Sequence, residues 1–376
     1  FFYAYGFGKL CNGFLADHAS ARRFIPLGLL LSAVVNLLFG LQSVALVSMV
    51  LWGLNGWFQG FLAPSCIVSL TQWFSSRERG TCYGIWNASH SIGEGITFAF
   101  TSSLVAWTMW RSAFLAPAAL CAGAAAVLLS TLRDRPESEG LPSVEKWRDT
   151  RSSPQRAAAP EDVPLQERLR FQTRLLLMPA VWICGLASAC MYVTRYAVNS
   201  WGMLYLQEEH GFALETAGLL IAINTGFGLF GSFCYGYLSD RFFASRRPPV
   251  TLLFGILECA SLGLIFFSPQ GSVLLLGVGY ALYGFTLSGL LAVLGGLFAV
   301  DMEPRAAGAA MGVVGVFSYL GAAAQELLSG VLVERGTTMV DGVRHYDFSA
   351  PVALWVGASV ASLVLAATLW RVKTSA

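Results

Sequence analysis

Long apolar runs decide what this chain can fold into. Stretches with few charges recur near residues 1–16, 24–41, 44–73, 81–105, 112–132, 175–206, 213–239, 249–268, 271–300, 306–333 and 349–370, mostly separated by short polar turns. About 20 apolar residues of helix span a hydrocarbon core, so an all-α membrane protein with eleven membrane helices is expected. A membrane β-barrel would alternate over roughly ten-residue segments, whereas these runs are continuous. Composition agrees, because 12% of the 376 residues are charged where a soluble domain carries roughly a quarter. Bilayer is the expected solvent. The first run opens at Phe1 with no methionine or polar segment ahead of it, so the sequence reads as missing its start.

The basic residues orient the runs. Taking alternate loops as one side, 19 of the 24 Lys and Arg lie in 17–23, 74–80, 133–174, 240–248, 301–305 and the C-terminus, while Arg111, Arg335 and Arg344 lie opposite. Positive loops stay inside, so the first set is expected to be cytoplasmic. The net charge of +2 averages over two faces in different solvents and gives no support to nucleic-acid binding. The eight cysteines lack paired CxxC spacing and read as small packing residues. "GFGLFG" at 226–231 lies within an apolar helix and not after a strand, so it is no dinucleotide fingerprint. "GFGKL" lacks the upstream glycine and the hydroxyl residue of a phosphate loop. With no metal-ligand spacing and no nucleophile–base arrangement, neither an enzyme nor a cofactor is expected.

Residues 133–174 are charged, carry prolines and show no sustained apolar period, so they read as a cytoplasmic linker. They divide an N-terminal bundle, 1–132, from a C-terminal bundle, 175–376. The two parts echo each other: "GFLADHASARR" (13–23) recurs as "GYLSDRFFASRR" (236–247), and Gly56, Gly80, Gly84 and Gly93 match Gly284, Gly308, Gly312 and Gly321 at one offset of 228. Both 80–84 and 308–312 are GxxxG, a spacing that lets helix backbones approach closely in a membrane. The Gly-x-x-x-Asp turn follows the second helix of the C-terminal part, so its place at 13–17 implies one helix before the sequence begins. The N-terminal bundle is then expected to hold helices 2–6 and the C-terminal one helices 7–12. Two parallel six-helix repeats make the architecture of the major facilitator superfamily.

Only two cations fall within apolar runs, Lys9 and Arg195. Placing either at a helix centre costs about 2.5–3.5 kcal/mol even on the lenient insertion scale, so each requires a partner. The internal acids are Glu94, Glu258 and Glu326, and His90 lies one turn before Glu94 on the same face. One reading pairs Arg195 with Glu94 or Glu326 as a buried salt bridge. The other brings both cations to a central cavity between the repeats, where an arginine fork and a lysine point charge would receive an anion.

"AYGFGK" (4–9), "GWFQG" (56–60), "RERG" (77–80), "WNASHSIGEG" (86–95), "LRDRPESEGLPSVEKW" (132–147), "TRYAVNSWGMLYL" (194–206) and "AAGAAMGVVGVFSYLGA" (306–322) closely resemble the organophosphate:phosphate antiporter family of the major facilitator superfamily. The linker and "NSWGMLYL" look most like its UhpC-type hexose-phosphate sensor branch. The resemblance implies that Arg195 is the seventh-helix arginine that holds substrate phosphate, and that Lys9, His90, Tyr5, Trp86, Asn87, Tyr192, Tyr283 and Tyr319 line the pore. Tyr283 and Tyr319 are also open to a reading as packing aromatics. Asp17 with Arg22 and Arg23, and Asp240 with Arg246 and Arg247, are expected to form a cytoplasmic gate, or else a solvated turn. The chain departs from the family in carrying Glu94, Gln325 and Glu326 where small residues are usual, and Val68 where several members are basic. Glu94 and Glu326 are candidate pore carboxylates. Glu258 receives no assignment.

The expected function is exchange of hexose 6-phosphate or glycerol 3-phosphate for inorganic phosphate by a monomer in a bacterial inner membrane. A second reading is a sensor that binds hexose phosphate and signals to a histidine kinase. A third is a proton-coupled exporter using His90 and Glu94 as a relay.

Overall fold

The computed structural model describes residues 1–147, 164–340 and 343–372, so positions 148–163 of the expected linker lie outside the described residues, as do 373–376. Before the linker come α1 (Phe2–Ala16), α2 (Ala21–Leu41), α3 (Ala45–Gln59), α4 (Leu62–Trp73), α5 (Arg79–Trp107) and α6 (Ser112–Thr131). Two short helices follow, α7 (Val144–Trp147) and α8 (Leu165–Leu176). After them come α9 (Pro179–Tyr196), α10 (Gly202–Glu208), α11 (Leu214–Phe242), α12 (Arg247–Phe266), α13 (Val273–Ala292), α14 (Phe298–Met302), α15 (Ala307–Gly336) and α16 (Ser349–Thr368). A small antiparallel pair, β1 (Thr338–Val340) with β2 (Val343–His345), sets Met339 opposite Arg344 between α15 and α16.

Among the described residues, nine helical segments are long and apolar enough to cross a membrane. The apolar runs led to an expectation of eleven. The two outside the nine are α1, which is 15 residues long, and α5, whose middle carries the polar stretch "WNASHSIGEG". Many large apolar side chains face outward, among them Leu37, Leu38, Leu41, Val44, Leu46, Met49 and Val50. In water such a continuous patch would drive association; against lipid it is the solvated face. The chain is a multi-pass membrane protein.

Helices on the two sides of the linker pack on each other as two related pairs, α1 on α15 and α5 on α11. Glycine makes both crossings possible. A Cβ on Gly13 would lie 2.4 Å from the carbonyl oxygen of Gly308, and one on Gly236 would lie 2.2 Å from that of Gly80. Any side chain there forces the backbones apart, because real contacts never come so close. Gly236→Val is therefore expected to open the end of the molecule that carries the basic loops. Ser239, fully buried three residues on, reports it: a cysteine placed there should be alkylated several-fold faster in Gly236→Val than in the glycine parent. An unchanged rate would mean that this crossing does not hold the end closed.

Two helices are locally widened by a π turn, α9 into α10 at Ala197–Trp201 and α13 into α14 at Val293–Leu297. Such single-turn insertions concentrate at functional sites. The first follows Arg195 by two residues.

Candidate functional site: a cationic, tyrosine-lined cluster and a closed basic end

Four helices bring their polar residues together. α9 supplies Tyr192, Arg195 and Tyr196, α1 supplies Tyr5 and Lys9, α15 supplies Tyr319, and α5 supplies His90. Arg195 Nη2 lies 3.4 Å from His90 Nε2. A guanidinium can only donate, so the imidazole accepts at Nε2 and is neutral there. The guanidinium carbon also stands 5.4 Å from the Tyr192 ring centroid and 5.6 Å from that of Tyr196, within cation–π range.

The tyrosines join this cation to the second one. Tyr192 and Tyr319 have centroids 5.4 Å apart, Tyr319 and Tyr5 4.4 Å, and Lys9 Nζ stands 5.9 Å from the Tyr319 centroid. Lys9 is only 4% exposed, and its stem lies against Gly315, where a Cβ would come 2.4 Å from Lys9 Cδ. Neither Lys9 nor Arg195 forms an ion pair with a carboxylate among the described residues. Two cations in mutual reach along one aromatic wall leave positive charge uncompensated in an apolar setting, which is where an anion gains most from binding.

The other expected pore residues sort by position. Trp86 stacks edge-on to Tyr83 of its own helix at 5.2 Å, and Asn87 Nδ2 donates to the Ser288 carbonyl at 3.4 Å, which ties α5 to α13. Tyr283, on α13, is fully buried and lies within electrostatic reach of Arg195. Glu94 is exposed and acts on Arg195 only through space. Glu326 accepts from Ser200 Oγ at 2.5 Å and from Trp201 Nε1 at 3.2 Å, which ties α15 to the π turn. The salt bridge of Arg195 with Glu94 or Glu326 is absent among the described residues. Tyr196 is the wall residue that sequence reasoning passed over, although it follows Arg195 directly.

At the basic end the related turns act alike. Asp17 Oδ1 accepts from Gly308 N at 2.7 Å, and its Oδ2 accepts from Ala309 N at 3.0 Å and Gln172 Nε2 at 3.1 Å. Asp240 Oδ2 accepts from Thr81 N at 2.7 Å and from Thr81 Oγ1 at 2.9 Å. Each carboxylate thus caps the free amides at the start of a helix across the linker, α15 for Asp17 and α5 for Asp240, where the helix dipole favours negative charge.

A buried charge network adjoins the second cap. Arg247 donates to Asp240 at 2.6 Å and to Asp301 at 2.8 Å, and Arg79 donates to Asp301 at 2.9 Å. Arg79 and Asp301 were not among the expected gate residues, though Arg79 stands in the quoted "RERG". Arg22, Arg23 and Arg246 stay outside this network. Arg22 bonds the Leu129 carbonyl at 3.2 Å and, through its backbone, Asp134 at 2.7 Å; Arg23 is exposed; Arg246 lies over the Trp370 ring. Side chains starting from adjacent positions of one turn point in different directions, and only Arg247 points inward.

Membrane-crossing helices, two related helix pairs closing one end and a polar cluster between them define a membrane carrier. The chain belongs to the major facilitator superfamily, whose family model matches residues 1–325, a family of carriers and not of enzymes. The chain is 33% identical over 329 residues to a probable hexose phosphate transport protein of Chlamydia pneumoniae, covering 85% of this chain and 72% of that one. It is 34% identical over 322 residues to the membrane sensor protein UhpC of Salmonella typhimurium, covering 86% and 72%. The solved Escherichia coli fucose:proton symporter FucP superposes with a TM-score of 0.68 at 14% identity, covering 97% of this chain and 88% of that one, which speaks for the fold alone.

Proposed function

We propose that this protein exchanges an organophosphate, hexose 6-phosphate or glycerol 3-phosphate, for inorganic phosphate across a bacterial inner membrane by alternating access. The observation that carries this reading is the convergence of Lys9 and Arg195, from opposite sides of the linker, on one tyrosine wall without a carboxylate ion pair among the described residues. The Arg195 fork binds two phosphate oxygens, Lys9 adds a point charge, and neutral His90 orients the fork. Tyr5, Tyr192 and Tyr319 supply hydroxyls and an apolar wall for the rest of the substrate.

In this reading residues 1–132 and 175–376 are two bundles that together cross the membrane eleven times, and the segment 133–174 joins them on the cytoplasmic side. Asp17 and Asp240 hold the cytoplasmic end shut, and transport requires both caps to release. Phosphate drawing Lys9 and Arg195 together lowers the cost of that rearrangement, since the carrier otherwise moves with two unpaired cations facing each other. Similarity to the Chlamydia pneumoniae protein supports a hexose phosphate substrate.

Similarity to the sensor of Salmonella typhimurium favours a second reading, in which the same site binds hexose phosphate and the conformational change is passed to a histidine kinase. Counterflow separates the two. Labelled glucose 6-phosphate should enter phosphate-loaded proteoliposomes and hardly enter empty ones, because the loaded carrier is the one that crosses. Saturable binding with no counterflow would reverse the ranking.

A further inference from the structure

Glu258 has no place in the site just described, yet it is the most enclosed acid of the apolar helices. It lies on α12, is 2% exposed, and forms no ion pair among the described residues. Its partners are hydroxyls from two other helices. Oε1 lies 3.1 Å from Thr194 Oγ1 of α9, and Oε2 is hydrogen-bonded with Ser359 Oγ of α16. An ionised carboxylate buried without a cation costs several kcal/mol, and neutral hydroxyls repay only part of it.

Counting protons separates the ionised from the neutral acid. Thr194 has a single hydroxyl proton and two acceptors in reach, the Met191 carbonyl at 2.8 Å and Glu258 Oε1 at 3.1 Å. If that proton goes to the nearer carbonyl, the contact with Glu258 is a hydrogen bond only when the acid itself donates. Ser359 stands between Glu258 and Cys259 Sγ, the latter 3.2 Å away; because the thiol can donate to it, Ser359 fits either form of the acid, and the distinction rests on Thr194. A protonated Glu258 completes the chain from Glu258 to Thr194 to the Met191 carbonyl, and a carboxylate breaks it.

The surroundings supply little else that titrates. From α13, Tyr283 lies within electrostatic reach of both Glu258 and Arg195. From α11, Tyr235 is engaged with Thr251 at 2.8 Å. α16 has no titratable residue in its sequence, and on α12 itself Cys259 is the neighbour. Thr194 directly precedes Arg195 and stands three residues before the π turn at Ala197–Trp201.

We propose that Glu258 is a proton-binding site coupled through Thr194 to the anion site at Arg195, a coupling that rests on the phosphate reading above. With the basic end closed, Glu258 holds a proton and Thr194 stays bonded along α9. When the proton leaves, the hydroxyl of Thr194 must turn from its own helix to the carboxylate, and the start of the π turn that carries Arg195 shifts with it. Raising the pH therefore weakens phosphate binding in this closed state beyond what the ionisation of phosphate itself produces.

Infrared difference spectra of the protein in lipid nanodiscs, wild type minus Glu258→Gln, test the proton directly. A protonated-carboxyl carbonyl band that fades as pH is raised from about 5 to about 9 is expected; carboxylate bands alone across that range would overturn the proposal. Inorganic phosphate binding to both proteins tests the coupling. The ratio of their affinities cancels the titration of phosphate and should change at least about fivefold over the same range, the lower end of ordinary coupling between two sites. A constant ratio would overturn the coupling. Absence of phosphate binding by the wild type would defeat the phosphate reading and the coupling with it, while the infrared band would still decide the proton. Should Glu258→Gln fail to fold, Ser359→Ala keeps the carboxyl and removes one partner. The acid band must then move in frequency, and an unmoved band would overturn the assignment.

Discussion

Arg195→Lys is expected to lower phosphate exchange in proteoliposomes at least about tenfold, about 1.4 kcal/mol of lost interaction in the rate-determining complex. The substitution keeps the charge and loses the shape. Arg195 reaches His90 at 3.4 Å while its planar group rests near the Tyr192 and Tyr196 rings. This leaves the fork oriented before any ligand arrives. A lysine ammonium has no second parallel donor to give a phosphate, and no plane to stack on two tyrosines. Tyr196→Leu removes one of the two rings that position the fork and is expected to act in the same direction with a smaller effect. Wild-type exchange by Arg195→Lys would show that the guanidinium only fills space between α5 and α9.

Asp301→Asn should give the largest loss of stability of any single charge change considered for this protein. Asp301 receives Arg79 at 2.9 Å and Arg247 at 2.8 Å, and the three side chains are 4%, 4% and 0% exposed. An amide of the same shape keeps some hydrogen bonding but leaves two buried guanidiniums sharing only the charge of Asp240 on the Arg247 side. Breaking a buried pair by removing one partner costs about 3–5 kcal/mol, and here one acid serves two bases. The thermal unfolding midpoint in detergent should fall clearly. Adding Arg79→Gln to Asp301→Asn should restore part of it, because the second change removes one of the stranded charges. An unchanged midpoint, or no recovery in the double variant, would mean that water compensates these charges.

Several features of the molecule were written in the local sequence. Continuous apolar runs selected the bilayer and the helix, because solvent preference and backbone satisfaction are decided residue by residue. The costs of Lys9 and Arg195 in such runs singled them out before any geometry was known. The two Gly-x-x-x-Asp turns marked related places in the chain, and Gly13, Gly80, Gly236 and Gly308 turned out to be the contact points of the two related crossings. Even so, nothing in the turn at 13–17 says that Asp17 will cap a helix through the amide of Gly308, 291 residues later.

Partner choice belonged to the tertiary structure. Arg246 and Arg247 are neighbours in one turn, yet only Arg247 enters the network, its guanidinium lying against Gly80 of α5 and bonded to Asp240 and Asp301. Glu326 read as a pore acid from sequence, and the partners that hold it, Ser200 and Trp201, belong to a π turn that no local signal announced. Glu258 had no reading at all until α9 and α16 brought Thr194 and Ser359 against it. A buried polar group can be recognised from its own neighbourhood in the chain, because the cost of desolvation is local. The group that compensates it is chosen by which helices cross at that depth and at what rotation, and that is settled by packing among segments far apart in sequence.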